Sequence, residues 1–230
     1  MARIVDENFE GTGYEETWAE TVNAGNTLDE DSTIPGTPPT GAGSQCLKTI
    51  IVDGTSESAY ALQTKTNQNI SYIRAYIYCS QEGLADTFAL RLAALYNSAD
   101  ALVARIIIIQ VSGALKFNYQ YYSGGALQSA TAVNMSLNTW YRVEYKYDIT
   151  NMLWEWQIDG VSQGSGSLSA ATLTPDRIVT GIRTVAGNPT QSTVYTDLVV
   201  WDDATWPGAE SAGGGLSIPV AMKHYKDMRV

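Results

Sequence analysis

The sequence predicts an all-β fold, a two-sheet antiparallel β-sandwich followed by a short C-terminal tail. Three observations carry this. Strand-like runs recur about every 10 to 15 residues between turn clusters. No amphipathic helical period holds between residues 45 and 202. One segment, 139–161, alternates so regularly that both of its faces can be assigned.

The runs fall at 45–53, 70–80, 87–96, 102–111, 115–122, 139–148, 152–159, 177–185 and 194–202. Ser112-Gly113, Ser123-Gly124-Gly125, Gly164-Ser165-Gly166 and Gly187-Asn188-Pro189 separate them as turns. In 70–80, Ile73, Ala75, Ile77 and Cys79 share one face, while Tyr72, Arg74, Tyr76 and Tyr78 share the other. The run 102–111 (LVARIIIIQV) does not alternate, which places it centrally in a sheet or under cover on both faces. The stretch 29–43, with Pro35, Pro38 and Pro39, reads as a long surface loop.

In 139–161, a tight turn at Asp148-Ile149-Thr150-Asn151 sets Tyr145 opposite Trp154, Val143 opposite Trp156 and Tyr147 opposite Met152, a wholly apolar and aromatic face. The other face then pairs Arg142 with Gln157, Lys146 with Leu153 and Glu144 with Glu155. Asp159-Gly160 is the pair that a type I′ hairpin requires.

At 230 residues, 44% hydrophobic and 17% charged, the chain can bury a large core. Residues 1–210 form the sandwich; 211–230 are a glycine-rich linker and a docking peptide. The net charge of −10 is uneven: −8 over residues 1–31, −4 over 32–216 and +2 beyond. An acidic surface repels phosphate backbones and anionic lipid heads, so nucleic acid and membrane are poor partners. No run approaches the roughly 18 apolar residues of a spanning helix, and the start lacks a basic, apolar leader. Cys46 and Cys79 are expected as two buried free thiols, each in an apolar strand-like stretch. After Ser211-Ala212-Gly213-Gly214-Gly215, Ser217 and Pro219 can start a short helix whose apolar stripe of Ile218, Met222, Tyr225 and Met228 would dock on a partner.

Four segments carry a family resemblance: Asn8-Phe9-Glu10-Gly11, Asn138-Thr139-Trp140-Tyr141-Arg142-Val143, Trp156-Gln157-Ile158-Asp159-Gly160-Val161, and Val194-Tyr195-Thr196-Asp197-Leu198-Val199-Val200. Over roughly residues 5 to 203 the chain resembles concanavalin A-like (lectin/glucanase, laminin G-like) jelly-roll domains. The resemblance implies that an N-terminal strand lies beside a C-terminal one. It also implies a structural calcium near these strands, with Glu10 and Asp197 as matching positions and Asp202 or Asp203 as helpers. The tail, from Gly215-Leu216-Ser217-Ile218-Pro219 to His224-Tyr225, resembles endings of bacteriophage structural proteins, which implies a virion-associated protein.

Three chemistries are candidates. Opposed Glu144 and Glu155 would set two carboxylates about 5 Å apart, the spacing of a retaining glycosidase. Arg142 and Lys146 beside them also make a solvated charge ladder, and the glucanase Glu-x-Asp pattern is absent. Alginate-lyase relatives would bring a Gln-x-His motif, and the one histidine is His224 in the tail. Calcium has the acids named above, with Asp29, Glu30 and Asp31 as a second cluster lacking the glycine and distal glutamate of an EF-hand loop. Carbohydrate has Tyr72, Arg74, Tyr76 and Tyr78, an aromatic stripe with a planar donor, or else tyrosines packed under a loop or a neighbouring subunit.

The expectation is therefore a non-enzymatic structural or interaction protein of a virion surface, partnered by other protein subunits. A carbohydrate-binding lectin-like module, extracellular in location, is the alternative, and a glycan hydrolase or lyase stands third.

Overall fold

Alternation in the 70–80 run decides the first sheet. Its strand, β6 (Ile70–Gln81), turns Ile73, Ala75, Ile77 and Cys79 into the core and is flanked on both edges. The computed structural model describes residues 3–10, 17–52, 57–81, 83–86, 88–186 and 191–210. Within them, sheet A contains β1 (Val5–Glu7), β3 (Thr27–Asp31), β4 (Cys46–Ile51), β6, β12 (Trp140–Asp148), β13 (Leu153–Ile158), β14 (Val161–Ser167) and β17 (Ser192–Asp202). Its order is β14-β13-β12-β6-β17-β4-β3, and β1 pairs with β17. Sheet B contains β2 (Ala19–Val22), β5 (Ala59–Thr64), β7 (Ala89–Tyr96), β8 (Leu102–Val111), β9 (Ala114–Ser123), β10 (Ala126–Ser129), β11 (Val133–Asn134), β15 (Arg177–Ile182) and β16 (Thr184–Ala186). Its order is β10-β9-β8-β7-β15-β5-β2, with β11 on β9 and β16 on β7.

The all-β, two-sheet antiparallel sandwich is therefore present. The first and last strands meet as expected, Val5 opposite Trp201 and Glu7 opposite Val199. β8 lies centrally between β7 and β9, which is why its isoleucines need not alternate: Ile106 and Ile108 are fully buried in the core, and Ile107 is covered on the other face. Asp159 and Gly160 both take positive φ, 53° and 80°, as the type I′ turn demands. Cys46 and Cys79 are buried and free, and burial, then Asp197 and Asp31, push the Cys46 thiol up to about 12.

Three expectations are corrected. The β12–β13 faces are as expected, but the register is two residues away: Tyr145 faces Trp156, Tyr147 faces Trp154, Glu144 faces Gln157 and Lys146 faces Glu155. The turn is wider because Asp148 closes it with its side chain, accepting the Asn151 amide and Nδ2 at 2.9 Å each, and Met152 takes φ 55°. Gly164-Ser165-Gly166 is strand β14, not a turn. Its glycines make room for two indoles: a Cβ on Gly166 would sit 2.9 Å from Trp154 Nε1, and one on Gly164 3.5 Å from Trp156 Nε1. The loop expected over 29–43 starts only after Asp31, since β3 pairs Asp29 with Lys48. The expected turn at Gly187-Asn188-Pro189 and the whole tail lie outside the described residues.

Buried tyrosines tie the sheets together. Tyr145 of sheet A donates to Ala93 O of sheet B at 3.0 Å, Tyr147 donates to Tyr122 O at 2.8 Å, and Tyr119 of sheet B donates to Lys146 O at 3.3 Å. Around them Tyr119, Tyr121, Trp154 and Trp156 stack with centroids 4.6 to 6.5 Å apart. Ala93 is a β-bulge with φ 31°, so its carbonyl has left the ladder and needs this side-chain donor. The bulge also changes the phase of β7: Arg91 before it and Tyr96 after it, at opposite parity, both face outward.

Tyr145→Phe leaves the Ala93 carbonyl buried and unpaired. It should lower unfolding stability by about 1–3 kcal/mol, read from the guanidinium midpoint; an unchanged midpoint would mean that the bulge holds without it.

Candidate functional site

The tyrosine stripe lies on the outer face of sheet A, beneath the chain's own segments. Arg74 is fully buried, Tyr76 and Tyr78 are buried, and Tyr72 is half-buried. Two segments form the roof. From the C-terminal side, Trp206 packs edge-on against Tyr72 at 5.3 Å. Gly208, at φ 66°, is clamped at both backbone groups: its amide donates to Glu144 Oε1 at 2.8 Å, and its carbonyl accepts from Arg74 Nη1 at 2.9 Å. From the 32–45 loop, Pro35 O accepts from Trp140 Nε1 at 2.7 Å, and Gly36 lies against the Tyr78 ring. Tyr78 packs on Trp140 and Tyr195. The alternative of tyrosines under a loop describes this face.

Arg74 organises the roof. Its Nε donates to Leu198 O at 3.1 Å, and Nη2 is 2.5 Å from Glu210 Oε1, which Arg3 also approaches at 3.1 Å. Burial raises the Glu210 carboxyl's affinity for a proton, but Arg74 and then Arg3 outweigh it and hold the group below its ordinary value. Among the described residues, shallow clefts lie at the roof's margins. One of about 300 Å³ lies between Thr37, Tyr78, Asn138, Thr139 and Trp140; another, of about 290 Å³, lies between Lys146, Trp154, Glu155 and Ser165.

The proposed carboxylate pair is not formed. Register sets Glu144 against Gln157 and Glu155 against Lys146, and Glu144 is buried, held by the Arg142 guanidinium at 2.9 Å and the Gly208 amide. Its oxygens are committed, Oε2 to Arg142 on the same strand and Oε1 to the roof.

Of the calcium candidates, Glu10 and Asp197 come together and Asp202 does not. Glu10 accepts from Ser44 Oγ at 3.0 Å and the Gln45 amide at 2.7 Å. Asp197 is fully buried; Oδ1 accepts the Leu198 amide at 2.7 Å, and Oδ2 is buried without a partner. Burial, with the Glu10 charge adding to it, pushes the Asp197 carboxyl up to about 8. Such an orphan oxygen suits a hard cation, but among the described residues no cluster of three or more acidic, thiol or imidazole groups could hold a metal. Asp202, farther along β17, spends Oδ1 on the Ala204 and Thr205 amides. The docking residues Ile218, Met222, Tyr225 and Met228 lie outside the described residues.

The outer face of sheet B was not anticipated. Ala94, Tyr96 and Val179 are buried there, with the partly buried Tyr60, Leu62 and Leu102 packed against them in a small apolar cluster. Beside it the Arg183 guanidinium lies 3.6 Å from the Tyr96 ring centroid and 5.2 Å from that of Tyr60. Arg105 donates through Nε to Gln120 Oε1 at 2.8 Å. Arg91 sits nearby on β7, close enough that its charge acts on both Arg105 and Tyr96. Burial, then Arg91, lowers the Arg105 guanidinium to about 10. Arg177 and Arg183 share Asp100. Among the described residues, the side chains of this face bond to adjoining strands, to the 97–101 turn and, through Asn118 Nδ2, to Ala130 O in the connection between β10 and β11. Two signals were available in the sequence: Arg105 inside an apolar run, and Asn118 and Gln120 alternating with Phe117, Tyr119 and Tyr121. The Ala93 bulge, which adds Arg91 to Tyr96, had none.

No family model and no curated protein matches the chain. Solved structures do. A cellulose-induced protein, Cip1, superposes with TM-score 0.63 at 17% identity, over 90% of this chain and 100% of that one. The likeness is one of fold. A sialidase superposes with TM-score 0.62 at 14% identity, over 88% of this chain but only 18% of the sialidase. An alginate lyase from Alteromonas sp. 272 gives 0.51 at 10% identity, over 76% and 92% of the two chains. These neighbours are β-sandwich jelly rolls, and the chain shares that architecture.

Arg74→Met leaves Glu210 with Arg3 alone and frees the Gly208 carbonyl. Removing one partner of a buried ion pair costs about 3–5 kcal/mol, so the denaturant midpoint should fall sharply; a loss under about 1 kcal/mol would show the clamp to be dispensable.

Asp197 gives a pH signature in the presence of chelator. An unfolded carboxyl ionises near its ordinary value of 3.8, whereas the folded one holds its proton to about 8. Between these values the unfolded chain binds fewer protons, so stability declines as pH rises through that window. Asp197→Asn should flatten the slope; wild-type stability that is level from pH 4 to 8 would contradict the burial of an uncompensated carboxyl.

Proposed function

We propose that this chain is a carbohydrate-binding, lectin-like β-sandwich whose ligand lies on the outer face of sheet B. One observation carries the reading: the chain's own segments bond across the outer face of sheet A, while on sheet B the half-buried Tyr60 and the Arg183 guanidinium stacked on the buried Tyr96 lie beside planar hydrogen-bonding groups. Sugar sites combine those two elements, an apolar platform and fixed polar groups that set orientation. Tyr60, Tyr96 and Arg183 supply the first; Gln120, Asn118, Arg91 and Arg105 supply the second. The names of the structural neighbours, which include a sialidase and alginate lyases, support glycan chemistry for this architecture.

A calcium ion belongs to the same proposal, held between Glu10 and Asp197 and stiffening the junction of β17 with the 43–45 segment. It would supply a fixed positive charge to two carboxylates that otherwise repel. Added calcium should raise the melting temperature of the wild type and leave Asp197→Asn unmoved. The virion reading rests on residues 211–230; no observation among the described residues favours it.

Screening the full chain on a glycan array, followed by calorimetry on the best ligand, tests the site. Gln120→Ala should weaken binding at least tenfold and Tyr78→Ala should not. The reverse pattern would move the site to the cleft by Thr37 and Trp140, and an empty array would remove the carbohydrate reading.

A further inference from the structure

The outer face of sheet B is basic in an acidic protein. It holds Arg91, Arg105, Lys116, Arg177 and Arg183, against 14 Lys and Arg and a net charge of −10 in the whole chain. Asp100 answers the charge of Arg177 and Arg183 at one end. Towards the middle no carboxylate answers it. Arg105 is only 7% exposed, and among the described residues neither it nor Arg91 has an acidic partner.

A desolvated guanidinium without a counter-charge is costly. What Arg105 has instead is neutral: the Gln120 carbonyl oxygen on Nε. This bond orients the guanidinium without neutralising it. The Ala93 bulge brings Arg91 to the same face across one strand pair, so two cationic forks stand side by side. One end of the neighbouring Arg183 guanidinium, Nη1, is also buried without an acceptor. The arrangement is a set of positioned donors lacking an anion.

Resting on the carbohydrate reading above, we propose that Arg91 and Arg105 form a carboxylate subsite, and that the ligand is an acidic glycan bearing carboxylate-substituted sugars. The planar fork of arginine matches a carboxylate with two parallel hydrogen bonds. Gln120 holds the Arg105 fork in place, while Arg183, between Tyr96 and Tyr60, extends the face for the sugar ring. The rest of the protein repels a polyanion, so such a chain would be held at this face alone, and more weakly as salt screens the contact.

The test uses the full chain with polygalacturonate oligomers and the same oligomers fully methyl-esterified, measured by calorimetry. The acidic form should bind, the ester at least tenfold more weakly, and Arg91→Gln should lower affinity for the acidic form at least tenfold. Lys48→Gln, which removes a positive charge from the opposite sheet, should leave it unchanged. Because Arg105 is buried, the circular dichroism spectrum and melting temperature of Arg91→Gln, at a half-exposed position, confirm that the fold survives. Equal binding of acid and ester, or an Arg91→Gln variant of wild-type affinity, overturns the carboxylate subsite and leaves the carbohydrate reading standing. Binding of a sulfated glycan but not of polygalacturonate overturns the carboxylate assignment. If neither oligomer binds and a neutral glycan array is also empty, both readings fall.

Discussion

One hydrogen bond crossing the core, from the Tyr145 hydroxyl to the Ala93 carbonyl, joins the architecture to the functional face. A strand alternates its side chains strictly, so Arg91 and Tyr96 could not both face outward from a regular β7. The bulge at Ala93 removes the conflict, at the expense of a carbonyl turned out of the ladder into an apolar core. Tyr145 returns a donor to that carbonyl. The same side chain packs near Tyr119 at 5.0 Å, so the aromatic core and the arginine face are set by one residue.

A second bulge plays the matching part in sheet A. β17 slips register between Asp197 and Val200, Leu198 takes φ 49°, and its carbonyl accepts from the buried Arg74. Arg74 then needs counter-charge, which Glu210 supplies by folding the segment after β17 back over the face. Glu144 completes the clamp by capturing the Gly208 amide. The two faces thus diverge for one reason. On sheet A the guanidinium is answered from within the chain, and the answer closes the face; on sheet B the Arg105 guanidinium bonds the neutral Gln120 and has no carboxylate partner among the described residues.

Much of the fold was legible because alternation is a local property. Ile73, Ala75 and Ile77 against Tyr72, Arg74 and Tyr76, the central run of isoleucines, and Asp159-Gly160 all led to the elements they form. Misreadings arose where a distant partner overrides the local signal. Gly164 and Gly166 look like turn residues, yet they lie in a strand because two indoles occupy the space beside them. The β12–β13 register moved by two residues because the Asp148 side chain, not the backbone alone, closes the turn. The tyrosine stripe was placed correctly on one face, but a roof built from residues 32–45 and 203–210 is a long-range contact that no window of sequence displays. The arginine face was hidden for the same reason, since it depends on a bulge and on strands far apart in the chain.

The account's central claim is that ligand is held on sheet B. Nuclear magnetic resonance of the arginine Nε–Hε groups during titration with an acidic oligosaccharide tests it most directly, because arginines mark both faces. The account predicts that the Arg91, Arg105 and Arg183 signals move with ligand while that of Arg74, closed under the roof, stays in place. Movement of Arg142 and Arg74 with the sheet B arginines unchanged would contradict it and place the site on sheet A.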